Sequence, residues 1–265
     1  MSQIGEYIRP KSVEEAYKIY QRGKAAFLAG GTLFTQRKSI EVENLIDLQA
    51  LGLNYIKDDE QVIGIGAMTT VTEIAESEVI TSSFSGILNK AARRLGSPAV
   101  RNFSTIGGNL MSRVYWSDIV PILLATDADL LLFDGEPHKV GIDSFLKDTR
   151  FRRMLLVEVV VPKGGKGFYR RFSRTEVDIP QVVCVLTRFS EVHAVVGGLW
   201  KVPQRIEGLE SAIESGEIDE NKISSAFRKD VKAFSDLRGD AEFKKEIASA
   251  LFIDMIEELG IIHHG

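Results

Sequence analysis

Apolar and polar positions along this chain follow two periods, and the changes between them mark its elements. Ser12-Val13-Glu14-Glu15 opens a helix as a capping box, with Ser12 as the cap and Glu15 reaching back. That helix runs to about Gln21 and ends at Gly23. Ala25 to Leu28 reads as a strand entering Gly30-Gly31, and Leu45 to Leu48 as another. The first 50 residues therefore read strand, helix, strand, glycine loop, strand. Tyr55-Ile56, Asp58-Asp59 and Val62 to Gly66 form a hairpin pattern. Thr70-Val71-Thr72-Glu73 is a second capping box, and apolar positions 87, 88, 91, 92 and 95 predict an amphipathic helix that stops at Gly96-Ser97-Pro98. Ser117-Asp118 with Pro121 starts a helix to about Ala125. Leu130 to Phe133 and Met154 to Val161 are strands. Gly164-Gly165-Lys166-Gly167 is the clearest linker. Strands near 168–173, 182–187 and 192–200 follow, then helices over about 206–214 and 240–259. Helices and strands mix without regular βαβ alternation, which places the chain in the α+β class.

Composition removes several function classes. The net charge of -4 and the absence of a long basic run disfavour nucleic acid as a partner. The start, MSQIGEYIRPKS, lacks the apolar stretch of a secretory signal, and no run of about eighteen apolar residues suggests a membrane span. The expected location is the cytoplasm. A single cysteine, Cys184 in 182-VVCVL-186, forbids an internal disulfide and a cysteine-ligated iron–sulfur cluster, and its surroundings predict plain packing. His138, His193, His263 and His264 show no metal-ligand spacing, so no metal site is expected.

Two glycine-rich stretches carry the candidate chemistry: 28-LAGGTLF-34 and 101-RNFSTIGGNLMSRVYWSD-118. A Gly-Gly turn exposes successive backbone N–H groups and can form a nest for a phosphate. Two such turns suit a pyrophosphate held from two sides. The dinucleotide fingerprint GxGxxG and the phosphate loop GxxxxGK[ST] are both absent, so a dinucleotide would be bound by another solution. Asp118, after the second stretch, suits sugar or ribityl hydroxyls, or else caps a helix.

These residues resemble the FAD-binding medium subunits of the molybdenum hydroxylases, the family of xanthine dehydrogenase and carbon monoxide dehydrogenase. The likeness covers nearly the whole chain. It rests on 7-YIRPKSVEEAYKIY-20, 28-LAGGTLF-34, 45-LIDL-48, 63-IGIGAMTTVTEI-74, the RNxxTIGGNL of the second stretch, 168-FYRRFSRTEVDIP-180 and 236-DLRGDAEFKKEIASAL-251. The resemblance implies a non-Rossmann, PCMH-type FAD-binding fold. Two α/β subdomains, 1–54 and 55–163, would precede a smaller α+β domain of sheet and helices over 167–265.

Carried over by position, the resemblance implies that Leu28, Ala29, Gly30, Gly31, Thr32, Leu33, Phe34 and Thr35 wrap the pyrophosphate with backbone N–H groups. Thr105, Ile106, Gly107, Gly108 and Asn109 would do so from the other side, Asp118 would hold ribityl or ribose hydroxyls, and Arg170 would stand where many members carry a lysine. The chain departs from the family at 113-RVYWSD-118, where Arg113 and Tyr115 replace a small residue and a proline, and Trp116 is expected to pack. Neither loop contains histidine, so FAD is expected to bind non-covalently. No acid–base catalyst is assigned. The implied partners are a molybdopterin-binding large subunit and a 2Fe-2S small subunit, with NAD+ or another acceptor taking the electrons. A self-sufficient flavin reductase or oxidase, a non-catalytic binder of another pyrophosphate compound, and a degenerate scaffold subunit are the alternatives.

Overall fold

The computed structural model describes residues 3–34 and 41–259. Thr35 and the His263-His264 pair lie outside the described residues. The strands are β1 (Gln3–Ile8), β2 (Ala25–Leu28), β3 (Glu41–Asp47), β4 (Ile56–Asp58), β5 (Val62–Gly66), β6 (Asp129–Phe133), β7 (Pro137–Gly141), β8 (Leu155–Pro162), β9 (Lys166–Phe172), β10 (Val182–Arg188), β11 (Val192–Gly197) and β12 (Gln204–Arg205). The helices are α1 (Val13–Tyr20), α2 (Val71–Glu76), α3 (Glu78–Thr81), α4 (Ile87–Arg94), α5 (Pro98–Phe103), α6 (Ile106–Met111), α7 (Ile119–Ala125), α8 (Ile142–Lys147), α9 (Glu207–Glu214), α10 (Glu220–Asp230) and α11 (Ala241–Glu258). Contacts divide the chain into two units, 1–74 with 97–112 and 127–162, and 75–96 with 113–126 and 163–265. Both are discontinuous in sequence, whereas the three segments expected from the sequence are each continuous.

The first unit holds two sheets. One is parallel, in the order β1-β3-β2, with Ile8 opposite Ile46 and Leu28 opposite Asp47. Parallel strands of one sheet need crossover connections, and α1 supplies the one between β1 and β2. Ser12 caps α1 as expected, but Glu15 accepts from the N–H of Lys11 at 2.8 Å, one residue before the cap. Ala16 and Ile19 of α1 enter a core with Ile46, Leu53, Phe133 and Leu155; each fully buried large side chain contributes about 1.5–3 kcal/mol. The other sheet is antiparallel, in the order β4-β5-β8-β6-β7. The predicted 55–66 hairpin forms its edge. The Thr70 box is reciprocal: Thr70 Oγ1 accepts from the N–H of Glu73, and Glu73 Oε2 accepts from the N–H of Thr70 at 2.7 Å.

The second unit centres on the antiparallel sheet β12-β11-β10-β9. β10 is buried from Val182 to Thr187 because both its faces are covered. Val182, Cys184 and Leu186 share a core with Leu209, Phe227, Phe252 and Ile256 of α9, α10 and α11. On the other face Thr187 Oγ1 donates to Ala125 O of α7 at 2.5 Å. The linker glycines are held: the Gly164 N–H donates to Ser83 Oγ at 3.0 Å and Gly164 O accepts from the Phe84 N–H at 2.9 Å. The last predicted strand ends three residues early, where Gly198 turns at φ +87°.

Candidate functional site

Leu28, the last residue of β2, delivers the chain into 29-AGGTLF-34, where every residue is half-buried. Gly30 is fixed by space: a Cβ there would stand 1.5 Å from Phe103 O. Gly31 has φ +73° and open surroundings, with Leu28 Cδ1 the nearest atom at 3.5 Å from a Cβ. Among the described residues, no loop or turn hydrogen bond takes the N–H of Gly30 or of Leu33. This stretch therefore retains donors for an anion, as a nest requires.

The second stretch lies in the same unit and meets the first. Thr32 Oγ1 and Ser104 Oγ are 3.1 Å apart, and a Cβ on Gly108 would lie 3.8 Å from Ala29 Cβ. Its form differs from the expected turn. Thr105 is an N-cap and Gly107 and Gly108 open the helix α6. The N–H groups expected to face a ligand are spent: Ile106 donates to Thr69 O, Gly107 to Ala67 O, Gly108 to Thr105 Oγ1 and Asn109 to Thr105 O, all at 2.9–3.0 Å. Thr105, Ile106 and Gly107 are buried, Ile106 completely. Gly107 is needed for close packing, since a Cβ would meet Ala67 O at 2.6 Å. Only Gly108 and Asn109 of the five remain half-exposed, so this side offers a bare glycine surface and an amide side chain in place of a second nest.

Asp118 belongs to the second unit and is 3% exposed. It does not cap α7. Its backbone is already helical, and Ser117 Oγ accepts from the N–H groups of Ile119 and Val120, both at 3.1 Å. Asp118 Oδ1 accepts from the Tyr169 hydroxyl at 2.6 Å and lies 3.4 Å from Arg171 Nε. Burial pushes the Asp118 carboxyl above the usual range, against the opposing pull of Arg171, Tyr169 and Arg94. Burial also raises the Tyr169 hydroxyl, and the Asp118 charge adds to the effect.

Arg170 is not the cation beside this acid. Its guanidinium pairs with Asp254 at 2.9 Å and with Glu258, both on α11. Successive residues of a strand face opposite ways, so Arg171, with Tyr169, shares the Asp118 side of β9 and Arg170 takes the other. Alternation along 168-FYRRF-172 would have separated the two arginines.

The family departure at 113–118 is also explained by contacts. Arg113 sits at φ +50°, and Gly198 N–H donates to Tyr115 O at 3.2 Å. The Tyr115 hydroxyl donates to Asp236 Oδ2 and accepts from Arg238 Nη1, each at 2.8 Å. Lys244, with no exposed surface, lies 3.0 Å from Asp236 Oδ1. Trp116 packs edge-on to Tyr115 at 4.8 Å between ring centres, with the Arg238 guanidinium 5.0 Å from its own. Sequence reading missed the polar part of this network because Asp236 and Arg238 lie 121 and 123 positions from Tyr115.

Residues 2–164 match a family model described as the FAD binding domain in molybdopterin dehydrogenase. The carbon monoxide dehydrogenase medium chain of Hydrogenophaga pseudoflava is 26% identical over 269 residues, covering 93% of each chain. The nicotinate dehydrogenase FAD-subunit of Eubacterium barkeri is 37% identical over 193 residues, 66% of this chain and 65% of that one. Among solved structures, quinoline 2-oxidoreductase from Pseudomonas putida 86 superposes with a TM-score of 0.87 at 19% identity, covering 99% of this chain and 100% of that one. Carbon monoxide dehydrogenase from Hydrogenophaga pseudoflava superposes at 0.84 and 24% identity, covering 95% of each. The α+β, non-Rossmann architecture is therefore shared with these structures.

Proposed function

Because this chain belongs to the family of FAD-binding domains of molybdopterin dehydrogenases, with FAD as its cofactor, we propose that it is the flavin subunit of a multi-subunit molybdenum hydroxylase-type dehydrogenase. The observation that carries the reading is the first glycine stretch, which keeps the N–H groups of Gly30 and Leu33 unspent beside the open Gly31. Backbone donors around bare glycines suit the pyrophosphate of FAD. Leu28 to Phe34 take that role, with Thr35 continuing the stretch. Gly108 and Asn109 complete the phosphate side, and Asp118 accepts from ribityl or ribose hydroxyls.

Binding is non-covalent. Neither stretch contains histidine, and Cys184 is fully buried, with its thiol pushed well up by burial. When bound, FAD supplies the exchange between one-electron and two-electron partners. The chain's own residues bind and orient, and none is assigned as an acid–base catalyst. A lone buried cysteine cannot hold an iron–sulfur cluster, so the 2Fe-2S centres belong to a small subunit and the molybdopterin to a large one. Electrons leave to NAD+ or another acceptor, in the cytoplasm. Among the described residues no helix is long and apolar enough to cross a membrane.

The test is isolation of the tagged chain from its native host, followed by anaerobic addition of NADH. The expected result is co-purification of two partner chains, one of them rich in cysteine, with bleaching of the flavin band by NADH in the complex. A chain that purifies alone and turns over NADH unaided is a self-sufficient flavin reductase, and the subunit reading fails.

A further inference from the structure

Asp118 is held unevenly. Both its contacts, the Tyr169 hydroxyl at 2.6 Å and Arg171 Nε at 3.4 Å, fall on the same oxygen, Oδ1. The two partners differ in what they can do. Arg171 is anchored elsewhere: Nη1 donates to Arg94 O at 2.9 Å and Glu176 O at 3.3 Å, and Nη2 donates to Asp178 O. Its Nε makes no hydrogen bond. Arg171 thus gives Asp118 charge but no directional bond, and the Tyr169 hydroxyl gives the direction. An sp² oxygen prefers its donor near the plane of its own group, so this bond orients the carboxylate.

We propose that Tyr169 is a positioning residue for the flavin: its hydroxyl clamps Oδ1 of Asp118 and thereby aims Oδ2 at the hydroxyls of the bound nucleotide. This rests on the reading of Asp118 as the hydroxyl-binding acid. Tyr169 itself touches no ligand in this scheme, and its phenol neither gives up nor takes a proton.

The clamp also keeps Asp118 able to accept. Burial drives its carboxyl toward the neutral form, while Arg171 and Tyr169 on β9 and Arg94 at the end of α4 oppose that drive. A neutral carboxyl would become a donor on one oxygen and lose acceptor capacity. Removing the Tyr169 hydroxyl therefore moves the loss of flavin affinity on acidification to higher pH.

The experiment is titration of the full chain, stripped of flavin, with FAD between pH 5 and 9, followed by flavin fluorescence. Tyr169→Phe is expected to bind FAD about tenfold or more weakly near neutral pH, the scale of a bond to a charged group. Its acid limb should lie at higher pH than that of the unaltered chain. Asp118→Asn should bind weakly with no such limb. If Tyr169→Phe fails to fold, 3-fluorotyrosine at position 169 replaces it. That ring keeps the shape and donates more strongly, so its acid limb should move to lower pH. Unchanged affinity and an unchanged acid limb in the position-169 variant, with Asp118→Asn impaired, would make Tyr169 merely structural and overturn the proposal. Unimpaired Asp118→Asn would overturn the hydroxyl-binding role of Asp118 and the clamp with it.

Discussion

Gly30 and Gly108 should answer alanine in opposite ways. At Gly30 the new Cβ would stand 1.5 Å from Phe103 O and 2.5 Å from Phe103 C. Both neighbours are backbone, so relief requires the two stretches to separate by roughly 2 Å to reach ordinary contact. That separation also breaks the Thr32–Ser104 hydroxyl contact of 3.1 Å. Overpacking costs about 1–3 kcal/mol and a lost hydrogen bond about 1 more. A chain of this size loses roughly 2–4 °C of melting temperature per kcal/mol, so Gly30→Ala should melt about 5–15 °C lower. At Gly108 the Cβ would meet only Thr105 Oγ1 at 3.1 Å and Ala29 Cβ at 3.8 Å. A helical glycine gains up to about 1 kcal/mol on becoming alanine, which offsets the mild crowding. Gly108→Ala should therefore melt within a few degrees of the unaltered chain. Thermal melts of the flavin-free variants and FAD titrations of the folded ones check both statements. Gly30→Ala should fail both assays, and Gly108→Trp should fail only the titration. Equal melting temperatures for Gly30→Ala and the unaltered chain would refute the claim that the two stretches are in contact.

The remaining predictions concern charge. Asp47 is buried, which works against its charge, yet bonds from the Tyr7 hydroxyl, the Gln49 N–H and Arg9 hold its carboxyl below the usual range. A lowered folded value adds stability above the ordinary carboxylate range, and that stability is lost as pH falls through the folded value. Asp47→Asn should cost about 1–3 kcal/mol at neutral pH in denaturant unfolding, and the gap to the unaltered chain should close in acid. Asp236→Ala strands the buried ammonium of Lys244 and should cost about 3–5 kcal/mol, against about 1–2 for Tyr115→Phe. Adding Lys244→Met should restore part of the Asp236→Ala loss in a double-mutant cycle. Arg170→Ala removes half-exposed pairs with α11 and a 3.4 Å bond to Tyr169 O, and should leave FAD affinity unchanged in the same titration.

Local signals read well from the sequence where the physics is local. Ser12 and Thr70 cap their helices because a hydroxyl three residues ahead of a carboxylate satisfies orphan N–H groups within one turn. The apolar run 182-VVCVL-186 read as a strand, and Cys184 is packing, as its neighbours implied. The Thr105 cap was missed because its helix continues through Gly-Gly, the poorest helix formers short of proline, and is held by contact with Ala67 instead of by propensity. α10 was missed because its apolar face is thin, with Ile223 and Phe227 its buried members. Within the candidate site, the glycine turn of the first stretch was legible. What was not legible was which donors remain unspent, since Thr69 O and Ala67 O reach the second stretch from over thirty residues away. Tyr169 was invisible for the same reason: its partner, Asp118, is 51 positions distant.

The most direct measurement is the absorption spectrum of the purified full chain, before and after incubation with FAD and desalting, with the flavin then released by denaturation and counted. Non-covalent FAD binding predicts flavin bands at about one equivalent per chain and FAD released intact into the supernatant. A chain that stays colourless after FAD is added, alone and when co-expressed with the proposed partner subunits, would contradict it. So would flavin that remains attached to the denatured protein.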